Sequence, residues 1–93
     1  MLQENENVVL VSRKSDMSYV NAVSKQFTKH DTVVLKSRGI FNSKNLLVAH
    51  LCRDVFLKDL NLNISYNTIF TNKQVNGKDV MILELHIILK RSL

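Results

Sequence analysis

The fold class is decided by residues 8–35, which read VVLVSRKSDMSYVNAVSKQFTKHDTVVL. Val8–Val11 and Thr32–Leu35 are short apolar runs rich in valine, a pattern typical of strands covered on both faces. Between them, Ser15 or Asp16 can cap an amphipathic helix. The apolar positions of this helix share one face and are Tyr19, Val20, Val23 and Phe27. The order strand, helix, strand predicts two parallel strands joined by a right-handed crossover.

A second helix is predicted after Gly39, which interrupts the chain at the end of the second strand. Asn42 or Ser43 can cap this helix, which extends to about Phe56. It carries two apolar stripes. The expected core stripe is Leu47, Val48, Leu51, Cys52 and Val55, whereas Leu46, Ala49 and Phe56 lie on the far side. Because a second apolar stripe on a small domain suggests a partner surface, we expect a protein–protein contact there.

Two more strands and a hairpin are predicted in the last third of the chain. Residues 60–67 alternate strictly, and Leu60, Leu62, Ile64 and Tyr66 are expected to face inward. A strand over residues 80–90 has one apolar face and one mixed face, and the mixed face is expected to meet a partner chain. The two faces are Met81, Leu83, Leu85, Ile87 and Leu89, and Ile82, Glu84, His86 and Ile88. Asn76-Gly77 favours a type I′ turn, so we expect a long hairpin that projects from the body.

The elements predict an α/β fold, more closely an α+β two-layer sandwich in the order β-α-β-α-β-β. Residues 7–91 are expected to form a single domain, and residues 1–6 a short flexible tail. The chain has 93 residues, of which 45% are hydrophobic and 23% charged. No apolar run approaches the roughly 20 residues of a membrane span. Because the only cysteine is Cys52, an internal disulfide is impossible, and we expect an intracellular protein without membrane contact.

The sequence offers little for catalysis. Gly39 and Gly77 lie too far apart to form a glycine-rich, phosphate-cradling loop. Each histidine lies on a different element and lacks a Cys, Asp or Glu at metal-ligand spacing. The three histidines are His30, His50 and His86. We expect no enzyme activity, no metal and no cofactor.

The basic residues follow a pattern that the net charge of +5 only hints at. Arg13 and Lys14 come directly after the first strand, and Lys36 and Arg38 close the second. Because both loops of a parallel unit emerge at the same sheet edge, Arg13, Lys14 and Arg38 should converge. The further candidates are Lys44 at the start of the second helix, and Lys73 and Lys78 beside the hairpin turn. Such a cluster of like charges favours a polyanionic ligand.

Taken together, the motifs resemble the Alba family of small basic nucleic-acid-binding proteins. The resemblance covers residues 7–91. It rests on Asn7–Lys14, Met17–Val20, Val34–Gly39, Ser43–Lys44, Arg53–Phe56 and Glu84–Ile88.

The resemblance implies a homodimer, or a heterodimer with another Alba-like chain, that lays its basic loops on a duplex backbone and its hairpins along a minor groove. Arg13, Lys14 and Arg38 match phosphate-contacting positions, and Lys44 matches the basic residue that opens the second helix. Phe56 matches the aromatic residue through which archaeal dimers pack side by side, so higher assembly is expected. The sequence departs from the archaeal pattern at two positions. Ile40 stands where those relatives carry arginine, and Arg13 replaces the acetylation-sensitive lysine, leaving only Lys14 for that modification.

The expected function is sequence-nonspecific binding of DNA and RNA through phosphates, in chromatin organisation or RNA regulation, in the cytoplasm or on chromosomes in the nucleus. The alternative is a subunit of ribonuclease P or MRP type that acts as a heterodimeric assembly module. In that case function should depend mainly on the interface residues Leu46, Phe56, Ile82 and Ile88. A small hydrolase or nuclease is a remote third hypothesis.

Overall fold

The structure is a computed structural model that describes residues 7–92, so the predicted tail at residues 1–6 lies outside it. Four strands and two helices follow one another as β1 Val8–Leu10, α1 Asp16–Gln26, β2 Thr32–Arg38, α2 Asn42–Leu51, β3 Leu62–Val75 and β4 Lys78–Arg91. A π-helical turn, Cys52–Phe56, prolongs α2. The four strands form one sheet in the order β1-β2-β4-β3, with β1 parallel to β2 and the other two pairs antiparallel. The predicted α+β architecture and its parallel β1–α1–β2 unit are confirmed.

The two helices cover one face of the sheet. Opposed residues such as Val9 and Leu35 lie in the core, and Leu35 is in turn opposite Ile87. Because side chains alternate along a strand, the intervening residues point to the other face, which we call the open face. On β1 and β2 the open face is formed by Val8, Leu10, Thr32, Val34, Lys36 and Arg38. On β4 it is formed by Lys78, Val80, Ile82, Glu84, His86, Ile88 and Lys90, and on β3 by Asn63, Ser65, Asn67, Ile69, Thr71, Lys73 and Val75.

The prediction that the first two strands are covered on both faces is wrong, because the helices cover only one face of the sheet. β1 forms an edge of the sheet, and the side chain of Leu10 on the open face is 70% exposed. Its apolar run reflects burial of Val9 and Val11 beneath the helices rather than burial on both sides.

Helix α1 follows the sequence prediction closely. Ser15 is its N-cap, and the Ser15 side chain accepts a hydrogen bond from the backbone N–H of Ser18. The predicted apolar face is confirmed, since all four of its residues, Tyr19, Val20, Val23 and Phe27, are buried.

Helix α2 is rotated relative to the prediction. Its buried face is Asn45, Val48, Ala49 and Cys52, whereas Leu47 and Val55 are about half exposed and Ala49 does not lie on the far side. The physical reason is Asn45, which is completely buried and donates to the carbonyl oxygens of Leu35 and Leu85 at 3.1 and 3.3 Å. These bonds direct a polar residue toward the sheet. A prediction based on apolar periodicity cannot assign such a residue to the buried face of the helix. Leu46 and Phe56 are exposed as predicted.

Neither predicted cap of α2 performs that role. The N-cap is Phe41, which makes no side-chain capping bond. The amide of Asn42 instead accepts a hydrogen bond from Ser37 Oγ at 2.7 Å and donates one to the carbonyl oxygen of Leu83 at 2.9 Å. Asn42 therefore joins α2 to β2 and β4.

Strands β3 and β4 are 14 residues each, longer than predicted, and they form a hairpin whose outer part projects from the body. All residues from 65 to 81 are exposed. The turn is formed by Asn76 and Gly77, both with positive φ, at 53° and 78°, as a type I′ turn requires. Tyr66 was expected to face the core, but it is half exposed because it lies at the flank of α2 rather than beneath it.

Candidate nucleic-acid interface

The loop between β1 and α1, residues 11–15, is held in place by a buried tyrosine. The phenolic oxygen of Tyr19 accepts hydrogen bonds from the backbone N–H groups of Ser12 and Lys14 at 2.8 and 3.0 Å. Burial by itself raises the pKa of Tyr19, but the hydrogen bonds from Ser12 and Lys14 together with the charge of Lys14 favour the phenolate more strongly, and the pKa is lowered overall. The loop backbone is therefore fixed, while the side chains of Arg13 and Lys14 are exposed.

The same loop lies beside the end of β2. Leu10 is opposite Lys36, and the backbone N–H of Val11 donates to the carbonyl oxygen of Lys36 at 2.8 Å. The chain thus leaves β1 for Arg13 and Lys14 at the sheet edge where β2 ends at Arg38. We call Arg13, Lys14, Lys36 and Arg38 the basic edge. Within residues 7–92, none of these four side chains pairs with a carboxylate.

A network of polar side chains lies next to the basic edge, on the side of the sheet that the helices cover. Asn45 Nδ2 donates to Ser37 Oγ at 2.8 Å, and that hydroxyl donates onward to Asn42. The next turn begins at Gly39, whose φ of +58° glycine adopts without the strain that most other residues would incur. Sequence reasoning identified the glycine but missed the network, because buried asparagines leave no periodic signal.

Ile40 interrupts the basic edge. Its side chain is 87% exposed immediately after Arg38-Gly39, at the position where the family resemblance implies arginine. Lys44 does not replace the charge of the missing arginine, because Lys44 Nζ lies 3.4 Å from Asp16 Oδ1 and pairs with it. The pair connects the first turns of α1 and α2, and it makes Lys44 a weaker candidate for phosphate contact than the basic edge.

The hairpin lysines share a face with part of the basic edge. Lys73 is opposite Val80 and Lys78 is opposite Val75, which places both lysines on the open face. The open face therefore carries five basic residues, Lys36, Arg38, Lys73, Lys78 and Lys90. Its one carboxylate within the described residues is Glu84. Lys90 was missed by the sequence analysis, although the strand alternation that assigned Ile88 to this face assigns Lys90 to it as well.

The predicted interface residues do not form a single surface. Leu46 and Phe56 are exposed on the helical side of the molecule, whereas Ile82 and Ile88 are half buried on the open face. Besides Leu46, the helical side carries exposed apolar residues that sequence reasoning did not assign to a partner surface. We call Leu46 and Leu47 of α2 together with Tyr66, Phe70 and Met81 of the hairpin the apolar flank.

A polar cluster borders the apolar flank at the end of α2. His50 Nε2 lies 2.9 Å from the Tyr66 hydroxyl, and Arg53 Nη2 lies 3.1 Å from His50 Nδ1. Since an arginine can only donate, Nδ1 accepts and Nε2 carries the hydrogen. Arg53 also pairs with Asp54 at 2.7 Å, which lowers the pKa of the Asp54 carboxyl. This cluster fixes Tyr66 against α2.

The histidines and Cys52 are the residues best suited to metal binding or nucleophilic chemistry. Within the part of the chain that the structure describes, no group of three or more His, Cys, Asp or Glu side chains could hold a metal ion. Two histidines do have a carboxylate nearby, contrary to the sequence analysis: His86 Nε2 lies 3.3 Å from Glu84 Oε1, and His50 Nδ1 lies 3.7 Å from Asp54 Oδ2. Burial raises the pKa of Cys52 to about 12, so this residue is a neutral thiol at physiological pH. Over the same residues, no helix is long and apolar enough to cross a membrane.

Comparisons with known proteins give one family. The Alba family model matches residues 7–73. The DNA/RNA-binding protein Alba of Picrophilus torridus is 39% identical over 56 residues, which are 58% of this chain and 62% of that protein. The protein of the same name from Thermoplasma volcanium is 38% identical over 55 residues, with the same coverage. The matched region thus spans less than two thirds of the length of these relatives.

Solved structures agree with the sequence comparison. Alba from Thermoplasma volcanium superposes with a TM-score of 0.80 at 28% identity, covering 91% of this chain and 100% of that one. Alba1 from Trypanosoma brucei superposes with a TM-score of 0.68 at 14% identity, covering 92% of this chain and 69% of that one, and supports the fold alone.

Proposed function

The chain belongs to the Alba family, and we propose that it binds DNA and RNA through their phosphates as a dimer. The observation that supports this most directly is the basic edge. Four cationic side chains gather where two parallel strands end, without a carboxylate partner among the described residues. Like charges held together this way repel one another, and a bound polyanion relieves that repulsion. The names of the matched archaeal relatives, DNA/RNA-binding proteins, point to the same ligand.

The open face favours backbone contact over base reading. Its side chains are aliphatic, hydroxyl, amide or charged, except for the imidazole of His86. The aromatic residues of the hairpin, Tyr66 and Phe70, point to the opposite side. Because the strands of the open face offer no aromatic platform for stacked bases, binding should depend on phosphate charge and show little sequence preference.

The proposed dimer forms through the apolar flank. The Tyr66, Phe70 and Met81 side chains are each at least half exposed, and Leu46 and Leu47 are exposed on the same, helical side of the molecule. An apolar surface of this kind on a small domain marks an association site. A second copy of the chain is the occupant we propose, because two copies would also double the number of basic residues available to one nucleic acid. A different Alba-like chain on the same surface is the alternative, which fits a ribonucleoprotein assembly module.

The test is a salt series of binding measurements on matched duplex DNA and duplex RNA. A dimer that neutralises about six to eight phosphates should give log K against log salt a slope of about −5 to −7. Arg38→Glu should weaken binding to every sequence alike. The matched control is Lys58→Glu, since Lys58 is exposed in the turn after α2 and outside the basic edge. Salt-independent affinity, or equal effects of the two charge reversals, would overturn the proposal. Purification from the native cell separates self-pairing from pairing with a different chain.

A further inference from the structure

A groove of about 400 Å³ lies at the end of the sheet that carries the basic edge. Leu10, Lys36, Arg38 and Glu84 line it from the open face, and Val11, Ser12, Ser37 and Phe41 complete the lining. The register accounts for this grouping, because Leu10 is opposite Lys36 and Arg38 is opposite Glu84. The groove is therefore built on three strands, β1, β2 and β4, and is contiguous with the loop that carries Arg13.

Glu84 does not fit a surface that only contacts phosphates. It is the one carboxylate on the described part of the open face, among five basic residues, and its side chain is only 29% exposed. A carboxylate repels phosphate and can only accept hydrogen bonds. A ligand with a hydroxyl donor near its phosphate suits this arrangement, because the cations can bind the phosphate while the carboxylate accepts from the hydroxyl.

We propose that this groove holds a ribonucleotide unit of bound RNA, with Glu84 accepting a hydrogen bond from the ribose 2′-hydroxyl. The proposal rests on the proposed nucleic-acid function and names the preferred form of the ligand. Lys36 and Arg38 bind the adjoining phosphate, and Leu10 and Phe41 contact the apolar side of the sugar. A groove of this size lies in the range of small-molecule sites. The 2′-hydroxyl is the group by which proteins distinguish RNA from DNA.

DNA is the poorer ligand because it lacks this donor. With DNA bound, Glu84 would lie beside phosphates, partly removed from water and without a hydrogen bond from the sugar. His86 and Arg38 are its protein neighbours in either case. Losing a hydrogen bond to a charged group corresponds to roughly a tenfold loss of affinity. We therefore expect duplex RNA to bind about tenfold more tightly than duplex DNA of the same sequence.

The experiment measures the affinity of the full chain for three duplexes of one sequence: RNA, DNA and fully 2′-O-methylated RNA. The methylated duplex keeps the A-form shape but lacks the hydroxyl donor, so the wild-type chain should bind it about as weakly as DNA. Glu84→Leu should bring the ratio of RNA to DNA affinity close to one, and Glu84→Gln should lower it partly. The matched control is Asp79→Asn, which removes a carboxylate on the opposite side of the hairpin, where Asp79 pairs with Gln74. That control should leave the ratio unchanged.

The outcomes separate this inference from the proposed function. If all duplexes bind but the ratio stays the same in the Glu84 variants, or if methylated RNA binds as tightly as RNA, the groove assignment is wrong and phosphate binding stands. If no duplex binds, the proposed function fails as well. Thermal melting checks that each variant folds. The methylated duplex tests the inference on the wild-type chain even if Glu84→Leu does not fold.

Discussion

The phenolic oxygen of Tyr19 lies 3.0 Å from the backbone nitrogen of Lys14 and accepts its hydrogen bond. Tyr19 belongs to the hydrophobic core, with 5% of its surface exposed. One side chain thus connects the core of the domain to the backbone of the loop that presents the cationic side chains. The packing of α1 against the sheet therefore determines where Arg13 and Lys14 can meet a ligand.

Tyr19→Phe should loosen that loop without removing any charge. The backbone N–H groups of Ser12 and Lys14 lose their acceptor, and each unsatisfied donor costs about 1 kcal/mol or more. Amide hydrogen exchange at Ser12 and Lys14 should become at least about tenfold faster, and duplex affinity should fall severalfold. The control is Tyr66→Phe, which removes a hydroxyl that contacts His50 and not the loop. Unchanged exchange at both amides would show that the tyrosine does not position the loop.

Asn45→Leu should destabilise the fold by about 2–3 kcal/mol. The substitution removes donors to Leu35, Ser37 and Leu85 from a completely buried site. Urea unfolding measures the loss as a lower midpoint. Asn72→Leu serves as the control, because Asn72 is exposed in the hairpin and should change the midpoint little. If the two variants unfold at the same urea concentration, the network beneath the basic edge contributes nothing to stability.

The sequence predicted the elements that depend on apolar periodicity, and it failed where polar contacts decide the packing. Helix α1 was placed correctly because its core face is entirely apolar. Helix α2 was rotated wrongly because Asn45, a polar residue, lies at the centre of its buried face. The placement of Arg13 and Arg38 at one end of the sheet followed from the shared direction of the parallel strands β1 and β2. The groove at Glu84 could not be predicted, because it depends on the pairing of β2 with β4, two strands far apart in the chain.

Cys52 should react very slowly with thiol reagents in the folded protein. Burial raises its pKa from the ordinary value of 9.0 to about 12. A rise of three pKa units lowers the thiolate fraction at pH 8 about a thousandfold, and burial also blocks the access of reagents.

The raised pKa of Cys52 also makes the stability of the protein depend on pH. The unfolded chain loses the thiol proton near pH 9 while the folded chain keeps it, so stability should decrease as the pH rises from about 9 toward 12.

The rate of reaction with an aromatic disulfide reagent, with and without denaturant, measures the protection of Cys52. A comparison of wild type with Cys52→Ala in urea unfolding between pH 8 and 11 isolates its share of the alkaline destabilisation. Rapid modification of the native chain would contradict a buried neutral thiol. An equal loss of stability at alkaline pH in both proteins would contradict it as well.

Leu46→Asp should dissociate the proposed dimer. Leu46 is exposed on α2 one turn before His50, which contacts Tyr66 of the hairpin, so a charge there would be buried unpaired in the interface. Sedimentation equilibrium should give half the mass of the wild-type protein. Met17→Asp, at an exposed apolar position in the first turn of α1, introduces the same charge elsewhere and should leave the mass unchanged. If the wild-type chain is already monomeric, the apolar flank is not a self-association surface.

Ile40→Arg should strengthen binding, since it adds a charge to the basic edge. Ile40 is almost fully exposed and follows Arg38-Gly39 directly, so an arginine side chain there can reach the phosphate path without disturbing the core. Each additional phosphate contact makes the slope of log K against log salt steeper by about 0.9, and a dimer gains two such contacts. The slope should therefore become steeper by about 1.8, with higher affinity for DNA and RNA alike.

An added positive charge raises the affinity for nucleic acid wherever it lies. The control must therefore distinguish the effect of net charge from the effect of position. Val55→Arg adds the same charge at a half-exposed site in the π-helical turn after α2, on the helical side of the molecule. A general charge effect would give both variants the same modest gain, whereas direct phosphate contact steepens the salt dependence only for Ile40→Arg. Equal slopes would place the nucleic acid away from the loop after β2. Since Arg38 and Gly39 form that loop, the same result would count against Arg38 as a main contact.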